Sequence, residues 1–178
     1  MAKNRVYTVK YRRKRERKTD YKKRLKYLLS HRPRIIIRRS LKGMVIQSVE
    51  YQEKGDKVLD TIKSTDLKKY GWDLPTGNIP AAYLTGLLFA KKAKIKEGIV
   101  DLGFVSITKG SRLAATIKGI GDGGIKIKYS EKILPKEETI KGAHIKSKNT
   151  KKFDEVKEKI LKWREKENQD KDSTRREN

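Results

Sequence analysis

Ten of the fourteen arginines in this 178-residue chain stand within its first 40 positions: Arg5, Arg12, Arg13, Arg15, Arg17, Arg24, Arg32, Arg34, Arg38 and Arg39. A guanidinium is a planar fork of donors that grips phosphate through paired bonds and stacks on flat rings, which an ammonium does not. Lysine alone would serve solubility, so this concentration of arginine points to a phosphate-bearing partner. Tyr7, Tyr11, Tyr21 and Tyr27 are interleaved among the cations and offer ring faces to unpaired bases. The same segment holds 17 Lys and Arg against only Glu16 and Asp20, a net of +15, while the rest of the chain carries +10. The plainer alternative is a solvated basic arm with no fixed partner, but arms of this density usually meet a polyanion.

Other chemistry finds little support. Gly119, Gly121 and Gly124 spell G-x-G-x-x-G, a pattern that cradles a pyrophosphate only after a strand and before a helix. Here the expected order is reversed, so a helix-ending turn is the better account. His31 lies in a basic stretch and His144 has no second ligand at metal spacing. Asp101 is the one carboxylate inside the buried strand expected over Ile99–Val105; with further acids around it, it would hold Mg²⁺ as nucleases do. Neither Asp122 nor Glu97 is convincingly placed for that, so Asp101 reads as a buried or capping residue. No serine sits in a nucleophile elbow. These residues call for no catalytic centre, cofactor or metal.

Composition narrows the classes further. Hydrophobic residues make up 35% and charged residues 39%, against about 45–50% and 25% in ordinary soluble domains. The core is therefore modest. The chain contains no cysteine, which excludes disulfide frameworks, thiolate metal sites and cysteine nucleophiles. No run of about 18 apolar residues exists for a membrane span, and the basic N-terminus has no apolar stretch behind it to make a secretory signal.

The elements that must position the cations follow from pattern. Residues 1–18 are expected to be disordered when free, because like charges repel and no apolar period is present. Thr19–Ser30 predicts a short amphipathic helix, with Tyr21, Leu25, Leu28 and Leu29 on one side and Thr19 or Asp20 as its cap. Pro33 ends it. Arg34–Ser40, Met44–Tyr51 and Lys57–Lys63 read as a three-stranded antiparallel meander, followed by an ordered loop over 64–78. Ile79–Lys96 is the strongest expected helix, capped by Asn78, with Pro80 in its first turn, an apolar first half and Gly86 permitting a close neighbour. Trp72 and Tyr83 are expected in the core.

Ile99–Val105 reads as a buried strand, Arg112–Ile120 as a helix capped by Ser111, and Ile125–Tyr129 as a half-buried strand. Residues 131–150 look irregular. Lys151–Lys166 looks helical, with Phe153, Val156, Ile160 and Trp163 as a narrow stripe that docks on the domain or meets a partner. The expected fold is α/β or α+β: a mixed sheet with an antiparallel N-terminal meander and helices packed on it, preceded by a basic arm. The expected divisions are 1–30 for the arm and short helix, 31–146 for the α/β domain, and 147–178 for the terminal helix and polar tail.

Several strings carry a resemblance. Tyr70-Gly71-Trp72, Pro75-Thr76-Gly77-Asn78 and Pro80-Ala81-Ala82-Tyr83-Leu84-Thr85-Gly86-Leu87-Leu88, together with Thr19-Asp20-Tyr21, Arg24-Leu25, Pro33-Arg34, Asp101-Leu102-Gly103 and Gly142-Ala143-His144-Ile145, resemble archaeal large-subunit ribosomal protein L-eighteen, relative of the eukaryotic L-five. They span roughly residues 5–146 in the family's order. The resemblance implies a cytoplasmic, non-enzymatic constituent of the large ribosomal subunit. It also implies binding of 5S rRNA, attachment of that RNA at the central protuberance, contact with 23S rRNA, and neighbouring large-subunit proteins as partners. On physical grounds, Arg12, Arg13, Arg15, Arg17 and Lys18 are expected to neutralise closely spaced phosphates, with the arm ordering as it binds. Arg24, Arg34, Arg38 and Arg39 are expected to extend that contact onto the folded body. Tyr11 and Tyr21 are expected to stack on bases, and Lys126 and Lys128 to add a second contact. A general nucleic-acid chaperone, a metal-dependent nuclease and a binder of acidic membranes are the competing classes.

Overall fold

The structure, a computed structural model, describes residues 8–145 and 151–162. Its centre is an open mixed sheet. The β-branched run after Pro33 forms β1 (Arg34–Arg39), which pairs antiparallel with β2 (Met44–Glu50); β2 in turn pairs antiparallel with β3 (Lys57–Lys63). These are the three strands of the expected meander. A fourth strand, β4 (Ile99–Asp101), joins the free edge of β1 in parallel, giving the order β3-β2-β1-β4. Ile37, Ile46 and Ile62 face one another across three strands and are all buried. Side chains alternate along a strand, so Arg34, Ile36 and Arg38 share the opposite face.

Two expected strands are shorter than their patterns. β4 stops at Asp101, because Gly103 turns the chain with a left-handed φ of 67°. Ile125–Tyr129 contributes only one bridge, Lys126 beside Glu97. Its backbone bonds run to Lys96 and Gly98, ahead of β4, where the available edge is one rung long. The alternation survives: Ile125 is buried while Lys126 and Lys128 are exposed.

Helix α3 (Ile79–Lys92) begins where Asn78 accepts a bond from the Ala81 N–H at 2.9 Å, and it buries 11 of its 14 residues. It ends short of Lys96. Ala93 is extended and buried, and the lysine-rich stretch beyond has no apolar face to keep it coiled. Helix α4 (Arg112–Asp122), capped by Ser111, lies against α3 so closely that a Cβ at Gly86 would sit 2.3 Å from the Thr116 carbonyl oxygen. A Cβ at Gly119 would sit 2.2 Å from the Tyr83 carbonyl oxygen. The G-x-G-x-x-G pattern thus serves helix packing and the helix end, with Gly124 at φ 102°.

The remaining elements fill gaps in the expectation. Ser64–Tyr70 forms a 3₁₀ helix where a loop was expected, and Trp72 and Tyr83 are both in the core. A short helix, α5 (Glu137–Lys141), interrupts the stretch expected to be irregular. Residues 151–162 form α6, which docks on the domain. Phe153, Val156 and Ile160 are buried, the Phe153 ring lies 5.7 Å from that of Tyr83, and Lys152 pairs with Asp73. Trp163 and Tyr7 lie outside the described residues.

At the N-terminal end, α1 (Arg12–Arg15) is a single helical turn within the segment expected to be disordered. Glu16 pairs with Arg12 at 3.8 Å and Lys18 at 2.8 Å, and Arg13 Nε donates to Thr19 Oγ1 at 2.9 Å. These local contacts offset part of the repulsion. Helix α2 (Tyr21–Leu28) starts at Asp20, whose carboxylate accepts from the Lys22 and Lys23 N–H groups.

Candidate nucleic-acid interface

The expected site residues separate into three groups. Arg12, Arg13, Arg15, Arg17 and Lys18 are exposed on and just after α1. Arg17 takes a left-handed φ of 52°, which turns the chain toward α2. Tyr11 and Tyr21 are exposed, their ring centroids 5.6 Å apart at an interplanar angle of 59°. The tilt leaves ring surface open to a base. Arg39 is exposed at the end of β1. Lys126 and Lys128 point to solvent beyond β4, on the far side of the sheet order from β2 and β3.

Arg34 is a correction. Expected to touch a phosphate, it is 2% exposed. Its Nη2 lies 2.6 Å from Asp56 Oδ2 and its Nη1 3.6 Å from Asp101 Oδ2. The Asp56 contact is off the N–H direction, so it is an ion pair more than an aligned hydrogen bond, and Nε has no acceptor among the described residues. A guanidinium withdrawn from water between two carboxylates holds the sheet face together; it does not reach out.

Arg24 and Arg38 occupy the ends of the same chain of charges. Arg24 Nη2 contacts Asp56 at 2.9 Å, while Arg38 Nη2 lies 3.5 Å from Asp101 Oδ1. Arg38 Nη1 also donates to the backbone oxygens of Asp101 at 2.7 Å and Ile37 at 3.0 Å. The sequence Arg24–Asp56–Arg34–Asp101–Arg38 therefore links α2, the β2–β3 turn, β1 and β4 by alternating charge. Its outer members stay reachable, with side chains 34% exposed at Arg24 and 45% at Arg38.

Burial opposes ionisation of Asp56, but the guanidinium contacts of Arg34 and Arg24 outweigh it and hold that carboxyl below its ordinary value of 3.8. Asp101 accepts a bond from the Gly103 N–H at 2.8 Å. It is the buried, turn-capping residue expected of it, and it also carries two ion pairs. Burial, and then the charges of Asp101 and Asp20, push the Tyr27 phenol above 10.0, so it stays a neutral donor. Asp56 was missed in the sequence: an acid after Gly55 reads as turn chemistry, and its two arginine partners are distant along the chain.

A cleft of about 210 Å³ opens over this network, lined by residues of α2, β1 and the segments around them, including Arg13, Arg24, Tyr27, Arg38, Asp56 and Asp101. The chemistry of such a surface suits an anion, and no cluster among the described residues could hold a metal ion.

Comparison with known proteins agrees with this chemistry. Residues 5–100 match the family described as ribosomal large subunit proteins 60S L5 and 50S L18. The chain is 47% identical over 150 residues to large ribosomal subunit protein uL18 of Korarchaeum cryptofilum, covering 83% of this chain and 77% of that one. It is 46% identical over 161 residues to uL18 of Methanoregula boonei, covering 88% and 92%. It is 39% identical over 168 residues to uL18 of Methanothrix thermoacetophila, covering 90% and 99%. A basic face on a mixed α/β sheet, with kinship of this length, makes the chain a member of the uL18 family of large ribosomal subunit proteins.

Proposed function

We propose that the chain binds 5S rRNA through the band of cations running from α1 across α2 to the end of β1, and holds that RNA to the large subunit at the central protuberance. Contacts to 23S rRNA and to neighbouring large-subunit proteins complete the attachment. Membership of the family makes the chain a structural component of the large subunit of the cytoplasmic ribosome and not an enzyme; the choice of RNA and the contacting residues are the proposal.

One observation carries this reading. Arg12, Arg13, Arg15, Arg17, Lys18, Arg24, Arg38 and Arg39 lie in consecutive elements and remain exposed or half-exposed, with Tyr11 and Tyr21 beside them. A-form grooves hide base edges, so recognition by such a surface rests on phosphate geometry and on bases unstacked in loops. Exposed Lys126 and Lys128 supply a second contact away from this band.

The test is a titration of the full chain into 5S rRNA at two salt concentrations, with tRNA as competitor. The expected result is at least a tenfold preference for 5S rRNA at the higher salt, about 1.4 kcal/mol. Eight neutralised phosphates give a log–log salt slope of about −5 to −7. Equal affinities that collapse together with salt would sink the 5S assignment and leave a general polycation.

A further inference from the structure

The two acids in the middle of the basic face need an explanation. Bulk electrostatics disfavours any carboxylate on a surface that binds a polyanion, yet Asp56 and Asp101 sit at its centre, at least three-quarters buried. Packing does not require them, because the core lies on the other sheet face. Their ion pairs are with arginines, Asp56 with Arg24 and Arg34 and Asp101 with Arg34 and Arg38, and Asp101 also accepts from the Gly103 N–H. We infer that Asp56 and Asp101 are positioning residues, which fix Arg24 and Arg38 on the walls of the cleft as ligands for RNA phosphate.

The geometry supports this in three ways. Each outer arginine is held by only part of its donor set. Arg24 uses Nη2 on Asp56, while Arg38 sets Nη2 3.5 Å from the Asp101 carboxylate and donates Nη1 to two backbone oxygens, so the carboxylate and the carbonyls together set its plane. Arg13, on the rim, is held by Nε on Thr19, and its Nη groups have no acceptor among the described residues. Buried Arg34 is the counter-charge shared by both carboxylates, and the remaining negative charge falls to the outer arginines, which ties them to the acids. The cleft lining holds six cations against three carboxylates, so the site stays net positive after internal pairing. A long side chain held in its bound geometry beforehand loses less freedom on binding. The inference rests on the RNA-binding reading above, and it concerns how the cleft grips phosphate, whichever RNA supplies it.

The test inverts the electrostatic expectation. Asp56→Asn and Asp101→Asn each remove one negative charge from the chain, as does Glu53→Gln at an exposed acid in the β2–β3 turn. Affinity for 5S rRNA and for tRNA is measured for each full-length variant over a salt series, with folding checked by circular dichroism. The expected outcome is at least a fivefold loss for Asp56→Asn and Asp101→Asn, with the salt slope reduced by about 0.7 to 0.9, one phosphate contact. Glu53→Gln binds as well as the parent or better. On an Arg38→Gln background, Asp101→Asn causes no further loss, because it acts through Arg38.

Equal or tighter binding by both Asn variants would overturn the inference. If Asp101→Asn fails to fold, Arg38→Lys decides. It keeps the charge but cannot hold the forked geometry, and wild-type affinity in that variant would equally overturn it. Loss on both RNAs without a wild-type preference for 5S rRNA would uphold the positioning role while removing the 5S assignment.

Discussion

Helix α3 buries eleven of its fourteen residues, whereas α2 buries none of its eight. The first is held by non-directional apolar contact: Leu84, Leu87 and Leu88 sit fully inside, and α4 closes over Gly86. The second is tied to the sheet by Arg24 on Asp56, while its own Leu25 and the following Leu29 stand 59% and 67% exposed. Apolar burial is indifferent to salt and to the protonation of a single carboxyl, so α3 sets the shape of the domain. An ion-pair tether responds to both, and it leaves the cations of α2 on the outside. In this molecule the part that makes the fold and the part proposed to meet RNA use different forces, on opposite faces of one thin sheet.

That contrast can be broken at either helix. Leu84→Ala should have the largest effect, a loss of about 3 kcal/mol in a urea melt, because the site is fully enclosed and cannot collapse. Arg34→Gln comes next, at about 2 kcal/mol. It removes the shared counter-charge of Asp56 and Asp101, though each keeps an outer arginine. Unchanged stability in that variant would show that the charge network is decoration.

Acid should then separate the two helices. Asp56 has its folded value below 3.8, so its stabilising contribution is complete above that pH and is lost as pH falls through the depressed value. As pH falls through that depressed value, amide exchange in α2 should accelerate well before that in α3; simultaneous loss would contradict an ionic tether. The smallest effect belongs to Leu25→Ala, within about 0.5 kcal/mol. A cost matching that of Leu84→Ala would mean that α2 is held by burial after all.

Much of this was legible along the chain because it depends on neighbours in sequence. The meander, the Asn78, Ser111 and Asp20 caps, and the apolar face of α3 all follow from local spacing. Failures came where a remote partner decides. The Ile125–Tyr129 pattern is that of a strand, but its partner edge offers one rung. Tyr21, Leu25 and Leu29 carry helical periodicity, and a helix formed; the periodicity could not say that no surface would cover it.

The arginines make the division plain. Their number, their crowding into the first 40 positions and the net charge of +25 are properties of composition, and they point to a polyanion as the partner. Arg34 and Arg38 stand on the same face of the same strand, and no local rule distinguishes them. The tertiary structure does, by bringing the β2–β3 turn and β4 to either side of Arg34 so that two carboxylates enclose it, while Arg38 at the strand's end keeps one side open to water. Charge is counted along the chain, but its exposure depends on which distant backbone arrives beside it.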